Sequence, residues 1–403
     1  MRIELPKNVE RFGAIRFGDL QKVFELDSGA DNGTLPSPTR AIQRIPYDEL
    51  AKIYKDMAVV VPIRGERLKL VEGVLCGIPH PCMIIIVSNS PRTPVDRFHM
   101  EQDALRDFCT FVEKNALIAH QKDPLLAKAF RNAGYRNILA DNGTIRDGKA
   151  EGMIIGTQLA RLAGKKYVGF IDSDNYFPGA VEEYIREYAA AFSISRSPFT
   201  MVRIAWHSKP KIVESKLFFR KWGRSSAKTN ALLNKLITHY LGFETEIIKT
   251  GNAGEHGMSM ELALSLDYAY GYSIEPYHII NLLEKFGGIL QTPVLDAMSR
   301  KVEVYQIESR NPHLHEAGDK AHVDQMRYLA MQVIYHSPIC PEPLKKEILR
   351  EATARGYVER GKPLARPRYF PALASVDPNA FLKEIRSAPY GRLIENGIGR
   401  ESR

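Results

Sequence analysis

The sequence predicts an α/β fold, a largely parallel sheet flanked by helices. From residue 57 onward, short runs dominated by Val and Ile alternate with longer stretches whose apolar residues recur at helical spacing. The short runs are continuously apolar, which is typical of strands buried on both faces of a sheet. Alternation of such strands with helices indicates a sheet covered on both sides. In folds of this class, ligands bind beyond the carboxyl ends of the strands, so the polar residues after each strand are the candidate site residues.

The same patterns assign the individual strands and helices in chain order. Strands are predicted at 57–62, 83–87, 116–119, 167–171 and 302–307. Helices are predicted at 66–75, 96–114, 124–134, 149–162, 179–195, 226–241, 276–286 and 319–337. Pro124 favours a helix start, and Gly134 favours a helix end.

The composition is typical of a globular protein. The chain has 403 residues, of which 44% are hydrophobic and 26% are charged, and this is enough for a sizeable core. No apolar run approaches the roughly 20 residues that span a bilayer, and the N-terminus lacks the apolar stretch of a signal peptide. The cysteines are scattered without close pairing, which favours a reducing compartment, so a cytoplasmic location is expected. They are Cys76, Cys82, Cys109 and Cys340.

The net charge of +9 indicates an anionic partner. A basic RNA-binding module is one interpretation, and it would carry dense basic tracts. Lys and Arg are instead spread along the chain, which favours several cations that converge on phosphorylated small molecules. We therefore expect neither a nucleic-acid partner nor a membrane partner.

The motif Asp172-Ser173-Asp174 is the strongest local signal for chemistry. It directly follows a predicted buried strand, so two carboxylates lie at the strand end where a ligand is expected. Oxygen ligands of this kind hold a divalent cation on a diphosphate. An ordinary acidic turn is the alternative, since Asp is common in turns. The apolar strand before the motif favours the interpretation as a metal–diphosphate site.

A second motif is similar to a phosphate-binding loop but does not match it fully. Gly143 and Gly148-Lys149 fit the pattern G-x-x-x-x-G-K, but Ala150 stands where Ser or Thr would hold magnesium. A nucleotide hydrolase is therefore not predicted. Lys149 at a predicted helix start still favours phosphate, because free N–H groups and an ammonium both attract it. A plain loop with a solvated lysine is the alternative.

Other polar residues follow the first three predicted strands. They offer donors and an acceptor for a nucleotide base and ribose, and each is a weak signal alone. They become candidate site residues because all of them lie at the ends of strands, where ligands bind in folds of this class. They are Pro62, Arg64, Glu66, Ser88, Asn89, Gln121 and Lys122.

Two regions further along the chain carry candidate ligand-binding groups. His313 and His315 follow the strand at 302–307, and an imidazole there could complete a metal site begun by Asp174. The segment 221–226 clusters cations and hydroxyls before a predicted helix, which suits a carboxylate or phosphate. For each region, solvated polar side chains are the alternative interpretation.

Taken together, these motifs resemble those of the mannosyl-3-phosphoglycerate synthases, a family (family 55) of retaining glycosyltransferases with a GT-A fold. The resemblance runs from about residue 11 to residue 316 and beyond, and it implies a Rossmann-like mixed sheet flanked by helices with a mainly helical C-terminal part. It rests on His-Gln-Lys-Asp at 120–123, Gly-Lys-Ala-Glu-Gly-Met at 148–153, Asp-Ser-Asp-Asn-Tyr-Phe-Pro-Gly-Ala-Val at 172–181, Thr-Gly-Asn-Ala-Gly-Glu-His at 250–256 and Asn-Pro-His-Leu-His-Glu at 311–316.

The resemblance implies transfer of mannose from GDP-mannose to D-3-phosphoglycerate with retention, giving mannosyl-3-phosphoglycerate for synthesis of the compatible solute mannosylglycerate. It also implies a divalent metal ion, Mg²⁺ with Mn²⁺ or Co²⁺ as alternatives, and a homodimer. A glucosyl-3-phosphoglycerate synthase is the nearest alternative, because Asp-Ser-Asp is equally typical of those enzymes. A nucleotidyltransferase is a more distant one. Arg64-Gly65-Glu66 departs from the Arg-Asn-Glu or Lys-Asn-Glu usual in the family.

Carried over motif by motif, the resemblance implies roles for individual residues. The catalytic residues would be Asp172, Asp174, Lys149 and Glu255. The nucleotide sugar would contact Pro62, Arg64, Glu66, Ser88, Asn89, Gln121, Lys122, Lys149, Asp172 and Ser173. The acceptor would contact Gly223, Arg224, Ser225, Ser226 and Asn252. The metal would be held by Asp174 with His313 or His315.

These roles divide the chain into four segments. Residues 1–56 are expected to form an irregular leader, and 57–210 the core that binds the nucleotide sugar. Residues 211–340 would bind the acceptor and complete the metal site. The extension 341–403 ends in a stretch rich in Pro and Arg that is expected to wrap the surface.

Overall fold

The structure is a computed structural model that describes residues 1–27, 41–175, 177–208, 211–213, 216–218, 224–292, 294–314 and 320–395. Within these ranges the strands are β1 Arg2–Glu4, β2 Val9–Phe12, β3 Ile15–Glu25, β4 Ile42–Arg44, β5 Met57–Ile63, β6 Met83–Ser88, β7 Ala116–His120, β8 Tyr167–Phe170, β9 Phe199–Ala205, β10 Lys211–Val213, β11 Lys216–Phe218, β12 His256–Ser259, β13 Tyr268–Ala269, β14 Val302–Glu308 and β15 Tyr369–Phe370.

The helices lie between these strands and dominate the last third of the chain. They are α1 Tyr47–Lys55, α2 Leu68–Gly77, α3 Arg97–Phe111, α4 Pro124–Asn132, α5 Lys149–Leu162, α6 Pro178–Ile194, α7 Arg224–Leu241, α8 Met260–Ser265, α9 Ile274–Phe286, α10 Leu295–Arg300, α11 Lys320–Tyr335, α12 Glu342–Ala354, α13 Pro378–Ile385 and α14 Pro389–Glu395. None of the described helices is both long enough and apolar enough to cross a membrane.

One large sheet organises the fold, with strand order β4-β1-β3-β14-β9-β12-β8-β5-β6-β7 and β2 paired to β3. Strands β8, β5, β6 and β7 run parallel to one another, and β3, β14 and β9 form a second parallel block. Strand β12 joins the two blocks and is antiparallel to both of its neighbours. The predicted α/β class and the mixed sheet implied by the family resemblance are confirmed.

The central strands form because their side chains are apolar on both faces. In β5, the alternate residues Ala58 and Val60 join one apolar cluster, and Val59 and Val61 join the other. Helix α5 covers the first face so closely that a Cβ on Gly156 would lie 2.3 Å from a methyl of Val60. All the β5 side chains except that of Pro62 are therefore buried, which favours apolar residues along the strand and explains the continuous apolar run.

The N-terminal segment is not the irregular leader that the sequence predicts. In its described part, the eleven-residue strand β3 runs parallel to β14 within the main sheet, and β1 and β4 extend the same edge. Phe12, Ile15 and Phe17 are buried in the core. The expectation was wrong because the partner of β3 lies almost 300 residues away in the chain, and local periodicity does not reveal such a pairing.

The described part of the C-terminal extension, residues 341–395, also differs from the expected surface wrapping. Helix α13 packs on α4 with Phe381 and Ile385 fully buried, and Arg161 donates to the carbonyl oxygens of Leu373 and Val376 at 3.2 and 3.1 Å. The mainly helical character implied for this part is confirmed. Its apolar side chains recur at helical spacing and complete the core, so the segment is integral to the fold.

Candidate active site

The site residues predicted after β5, β6, β7 and β8 lie at one edge of the sheet, where these parallel strands end. This is the edge at which ligands bind in open α/β sheets. Arg64 and Glu66 follow β5, Asn89 follows β6, Lys122 follows β7 and Asp172 follows β8. Because these strands run parallel, the polar residues that follow them lie at the same edge of the sheet.

A buried ion triad lies at the centre of this edge. Lys149, the first residue of α5, places its Nζ 2.5 Å from Asp172 Oδ1 and 2.8 Å from Glu275 Oε1. Burial disfavours the ammonium, but the two carboxylates outweigh that effect and hold the pKa of Lys149 well above its ordinary value. Lys149 therefore clamps the end of β8 to the start of α9. Glu275 was not predicted from the sequence, where its only signal is an acid in the first turn of a helix.

Asp174 sits in an environment that disfavours its charged form. Burial raises its pKa to about 7, and the charges of Asp172 and Glu66 add to this effect while Lys149 opposes it. A bound divalent cation would relieve this repulsion, and carboxylate oxygens are the ligands such cations prefer. The chemistry of these donors therefore fits the implied metal. Within the described ranges, however, no three His, Cys, Asp or Glu side chains are grouped as a formed metal site.

Glu255 forms a second cluster beside the triad. Its carboxylate is fully buried and accepts a hydrogen bond from the indole Nε1 of Trp206 at 2.9 Å. The ring of His313 packs on the Trp206 ring at a centroid distance of 4.6 Å, and its Nδ1 lies 3.9 Å from Glu255 Oε1. His313 thus lies near the implied catalytic acid, and its role as a metal ligand stays a prediction. His315 lies outside the described residues, and Trp206 was not predicted.

Gly254 allows these two clusters to approach each other. A Cβ added at this position would lie 2.5 Å from Asp172 Oδ2 and 3.3 Å from Lys149 Nζ. The chain is held there by Arg203, which is fully buried and donates to the carbonyl oxygen of Thr250 at 2.8 and 2.9 Å. The absence of a side chain at Gly254 is therefore a condition for the position of Asp172.

Several implied nucleotide-binding residues also support the loops of this edge. Ser88 is buried and its hydroxyl donates to Glu101 at 2.7 Å, while Gln121 is buried and donates to the carbonyl oxygen of Arg146 at 2.6 Å. The backbone N–H of Arg64 donates to Glu66 at 2.5 Å. Pro62 lies near the end of β5, and Ser173 lies in the loop after β8. The contacts of these residues with a nucleotide stay predictions.

The implied acceptor residues are described only in part. Gly223 and the side chain of Arg224 lie outside the described residues. Ser225 and Ser226 lie in the first turn of α7, and both are buried. Asn252 is also buried, and neither its amide nitrogen nor its amide oxygen has a hydrogen-bond partner within the described part of the chain. An unpaired buried amide is costly, so this side chain is a good candidate for contact with a ligand.

The fold and this site define a glycosyltransferase. A family model described as mannosyl-3-phosphoglycerate synthase matches residues 5–385. A mannosyl-3-phosphoglycerate synthase from Pyrococcus furiosus is 43% identical over 388 residues, which cover 96% of this chain and 98% of the relative. One from Aeropyrum pernix is 34% identical, with 89% and 91% covered. The chain belongs to the mannosyl-3-phosphoglycerate synthase family, and the resemblance predicted from the motifs is confirmed.

More distant similarity extends to solved structures. Mannosyl-3-phosphoglycerate synthase from Rubrobacter xylanophilus is 15% identical with a TM-score of 0.43, and 83% of each chain is covered. Glucosyl-3-phosphoglycerate synthase from Mycobacterium tuberculosis, solved with Mn²⁺, UDP-glucose and glycerol 3-phosphate, is 15% identical with a TM-score of 0.46. That match covers 84% of this chain and 97% of the solved one.

The substitution Gly254→Ala tests the contact between the two clusters. The added methyl displaces Asp172 or Lys149, so we expect glycosyl transfer to fall by roughly tenfold or more while the fold is retained. Gly179→Ala is the matched control, because its Cβ would lie 3.5 Å from the Phe177 ring, an ordinary contact. Steady-state rates and circular dichroism of both variants check this expectation. Equal rates for the two variants would contradict it.

Glu151 provides a prediction about pH. This side chain is fully buried in the first turn of α5, and burial raises its pKa from 4.5 to about 7. The folded state therefore binds the proton more tightly than the unfolded chain, so this group lowers stability as the pH rises from about 4.5 through 7. Glu151→Gln removes the effect and should raise the free energy of unfolding relative to wild type at pH 8, by on the order of 3 kcal/mol, but not at pH 4.5. Denaturant titrations at both pH values measure the difference, and a difference independent of pH would contradict this assignment.

Proposed function

We propose that the protein transfers mannose from GDP-mannose to D-3-phosphoglycerate with retention of configuration, giving mannosyl-3-phosphoglycerate for the synthesis of mannosylglycerate. The observation that carries the proposal is the full-length similarity to the synthase of Pyrococcus furiosus. The gathered carboxylates and cations at the carboxyl edge of the sheet suit a sugar diphosphate and an anionic acceptor. We also expect a homodimer in the cytoplasm, as the resemblance and the thiols imply.

Asp174 is the proposed ligand of a divalent metal, Mg²⁺ or alternatively Mn²⁺ or Co²⁺, together with His313 or His315. Support comes from the raised pKa of Asp174, since a carboxylate that is buried and close to other carboxylates gains most from a cation. When bound, such a metal acts as a Lewis acid that stabilises negative charge on the leaving diphosphate.

Lys149 and Asp172 are proposed to act as a unit. The sequence suggested that Lys149 contacts the diphosphate directly. Its ion pairs with Asp172 and Glu275 support a further role, in which the ammonium fixes the Asp172 carboxylate toward the ribose or the sugar. A fixed charge in a closed site needs little reorganisation during the reaction, so it stabilises developing charge better than a mobile one.

Glu255 is proposed to bind the donor sugar. Its carboxylate is buried and held by Trp206, so it is a fixed acceptor for sugar hydroxyl groups. The proposed route to retention is attack on the same face as the departing diphosphate, whose phosphate oxygen accepts the proton of the acceptor hydroxyl. In this route Glu255 orients the sugar and forms no covalent bond to it.

The segment 223–226 and Asn252 are proposed to bind 3-phosphoglycerate. The buried hydroxyls of Ser225 and Ser226 lie at the start of α7, where free backbone N–H groups favour an anion. The unpaired amide of Asn252 supplies a donor and an acceptor to the same ligand. Together these groups would hold the acceptor in place for transfer, which turns an encounter of two molecules into a positioned reaction.

A panel of donors tests the reaction. GDP-mannose, GDP-glucose and UDP-glucose are each incubated with 3-phosphoglycerate and Mg²⁺, and the phosphorylated product is identified by NMR. We expect mannosyl-3-phosphoglycerate from GDP-mannose and little product from the glucose donors. Preference for a glucose donor would favour the glucosyl alternative, and absence of product from all three would refute the proposed reaction.

The substitution Asp174→Ala tests the metal site. We expect loss of turnover, and we also expect that Mn²⁺ raises the melting temperature of the wild type but not that of the variant, because ligand binding stabilises the folded state. EDTA should abolish wild-type turnover. Asp141→Ala is the control, since the Asp141 side chain is fully exposed. Near-wild-type activity of the Asp174 variant would rule out this assignment.

A further inference from the structure

Asp147 occupies a position that neither the sequence motifs nor the proposed reaction explains. It lies in the loop directly before α5, and its Oδ1 accepts hydrogen bonds from Lys122 Nζ and Asn89 Nδ2, each at 3.1 Å. These two donors follow β7 and β6, and the family resemblance implies that both contact the nucleotide. Asp147 therefore stands at the place where the base of the donor is expected.

The Asp147 carboxylate is held in place by neighbouring donors and is still accessible to a ligand. Lys122 also donates to the carbonyl oxygen of Ile145, and Gln121 donates to that of Arg146, so the loop is tied to the end of β7. The Asp147 side chain is nevertheless 62% exposed, and no described contact engages its Oδ2. Partial burial acts to raise the pKa of Asp147, but the hydrogen bonds from Lys122 and Asn89 outweigh it and lower the pKa, so the carboxylate is ionised at neutral pH.

Asp147 faces a cleft of about 590 Å³, which is ample for a purine. The loop before α5 forms one wall, and the segments around Tyr270, Tyr328 and Arg366 form the others. Aromatic rings and guanidinium groups are surfaces on which a planar base can stack. Lys122 and Asp147 both line this cleft, so it combines stacking walls with a fixed carboxylate acceptor and the ammonium donor that pairs with it.

This set of polar groups matches one nucleobase in particular. The outer edge of guanine presents two adjacent donors, N1–H and the 2-amino group, followed by the acceptor O6. A carboxylate accepts both donors side by side, and an ammonium or amide donates to O6. Uracil offers one donor between two acceptors, and adenine offers an acceptor next to its amino group, so each would leave a charged oxygen facing an acceptor.

We propose that Asp147 selects a guanine nucleotide as the donor by accepting hydrogen bonds from N1–H and the 2-amino group, with Lys122 or Asn89 donating to O6. The inference rests on the proposed function only in that the donor nucleotide binds at these strand ends. The inference adds to the proposed function one residue, Asp147, that selects the base of the donor. Asp147 lies outside the motifs on which the family resemblance rests.

Asp147→Asn tests the inference through a change of specificity. Xanthine differs from guanine by a carbonyl in place of the 2-amino group, so the amide introduced by this substitution can accept from N1–H and donate to this carbonyl. We expect GDP to bind roughly ten- to hundredfold more weakly to the variant, and XDP more tightly by a similar factor. Calorimetric titration with GDP and XDP measures both changes. In the variant, kcat/KM should fall for GDP-mannose and rise for XDP-mannose.

A binding measurement on the wild-type protein also tests the inference, and it does not depend on whether the variant folds. IDP lacks the 2-amino group, so it should bind roughly tenfold or more weakly than GDP. Asp141→Asn, in the exposed part of the same loop, should keep the wild-type preference for GDP over XDP and IDP.

The outcomes separate this inference from the proposed reaction. An Asp147→Asn variant that still prefers GDP over XDP would overturn the inference, as would a wild type that binds UDP, ADP or IDP as tightly as GDP. Failure of sugar transfer to 3-phosphoglycerate, with the switch from GDP to XDP intact, would overturn the proposed reaction and support the assignment of Asp147.

Discussion

The geometry of the site depends on one buried cation, the ammonium of Lys149. It joins the start of α5 to the loop after β8 through Asp172 and to α9 through Glu275. Loss of one partner from a buried ion pair typically costs about 3–5 kcal/mol, because the remaining charge is left unpaired in a poorly solvated place. Helix α9, whose Glu275 lies 126 residues from Lys149, is therefore held in register with α5 and the loop after β8 by the requirement that these charges compensate one another.

The single antiparallel strand in the middle of the sheet brings the second half of the site into place. Strand β12 pairs with β8 so that His256 lies opposite Phe170. The start of β12 thus lies beside the end of β8, and Gly254 and Glu255 arrive next to Asp172. A parallel strand in this position would begin at the opposite edge of the sheet. Arg203 donates to the carbonyl oxygens of Thr250 and Gly251 in the loop before β12 and to that of Glu275 in α9, and this explains a guanidinium in an otherwise apolar layer.

The charge of the candidate site differs from that of the chain as a whole, which is basic. Asp172 and Glu275 both pair with Lys149, and Asp174 adds a further carboxyl group, so this part of the site would repel a diphosphate on its own. Cations lie instead along the neighbouring cleft, at Lys122, Arg146, Arg366 and Arg368. Such an arrangement fits a ligand that carries its own divalent cation into the carboxylates while its remaining parts contact the basic cleft.

The sequence by itself determined the α/β class, strands such as β5 and β6 and the position of Asp172 and Asp174 after a strand. These features are local, because doubly buried strands must be continuously apolar and the loops that follow them carry the polar residues. Helix α5 was predicted with its bounds because its pattern and its glycine start are also local.

Only the tertiary structure decided which distant residues meet. Glu275 lies 126 residues from Lys149, and Asp147 lies 58 residues from Asn89. Trp206 ends up against Glu255 because β9 and β12 are neighbours, and β9 itself was not predicted. Such pairings depend on strand order and on the compensation of buried charge, which are properties of the packed molecule. The local periodicity of the sequence therefore does not predict which distant residues pair.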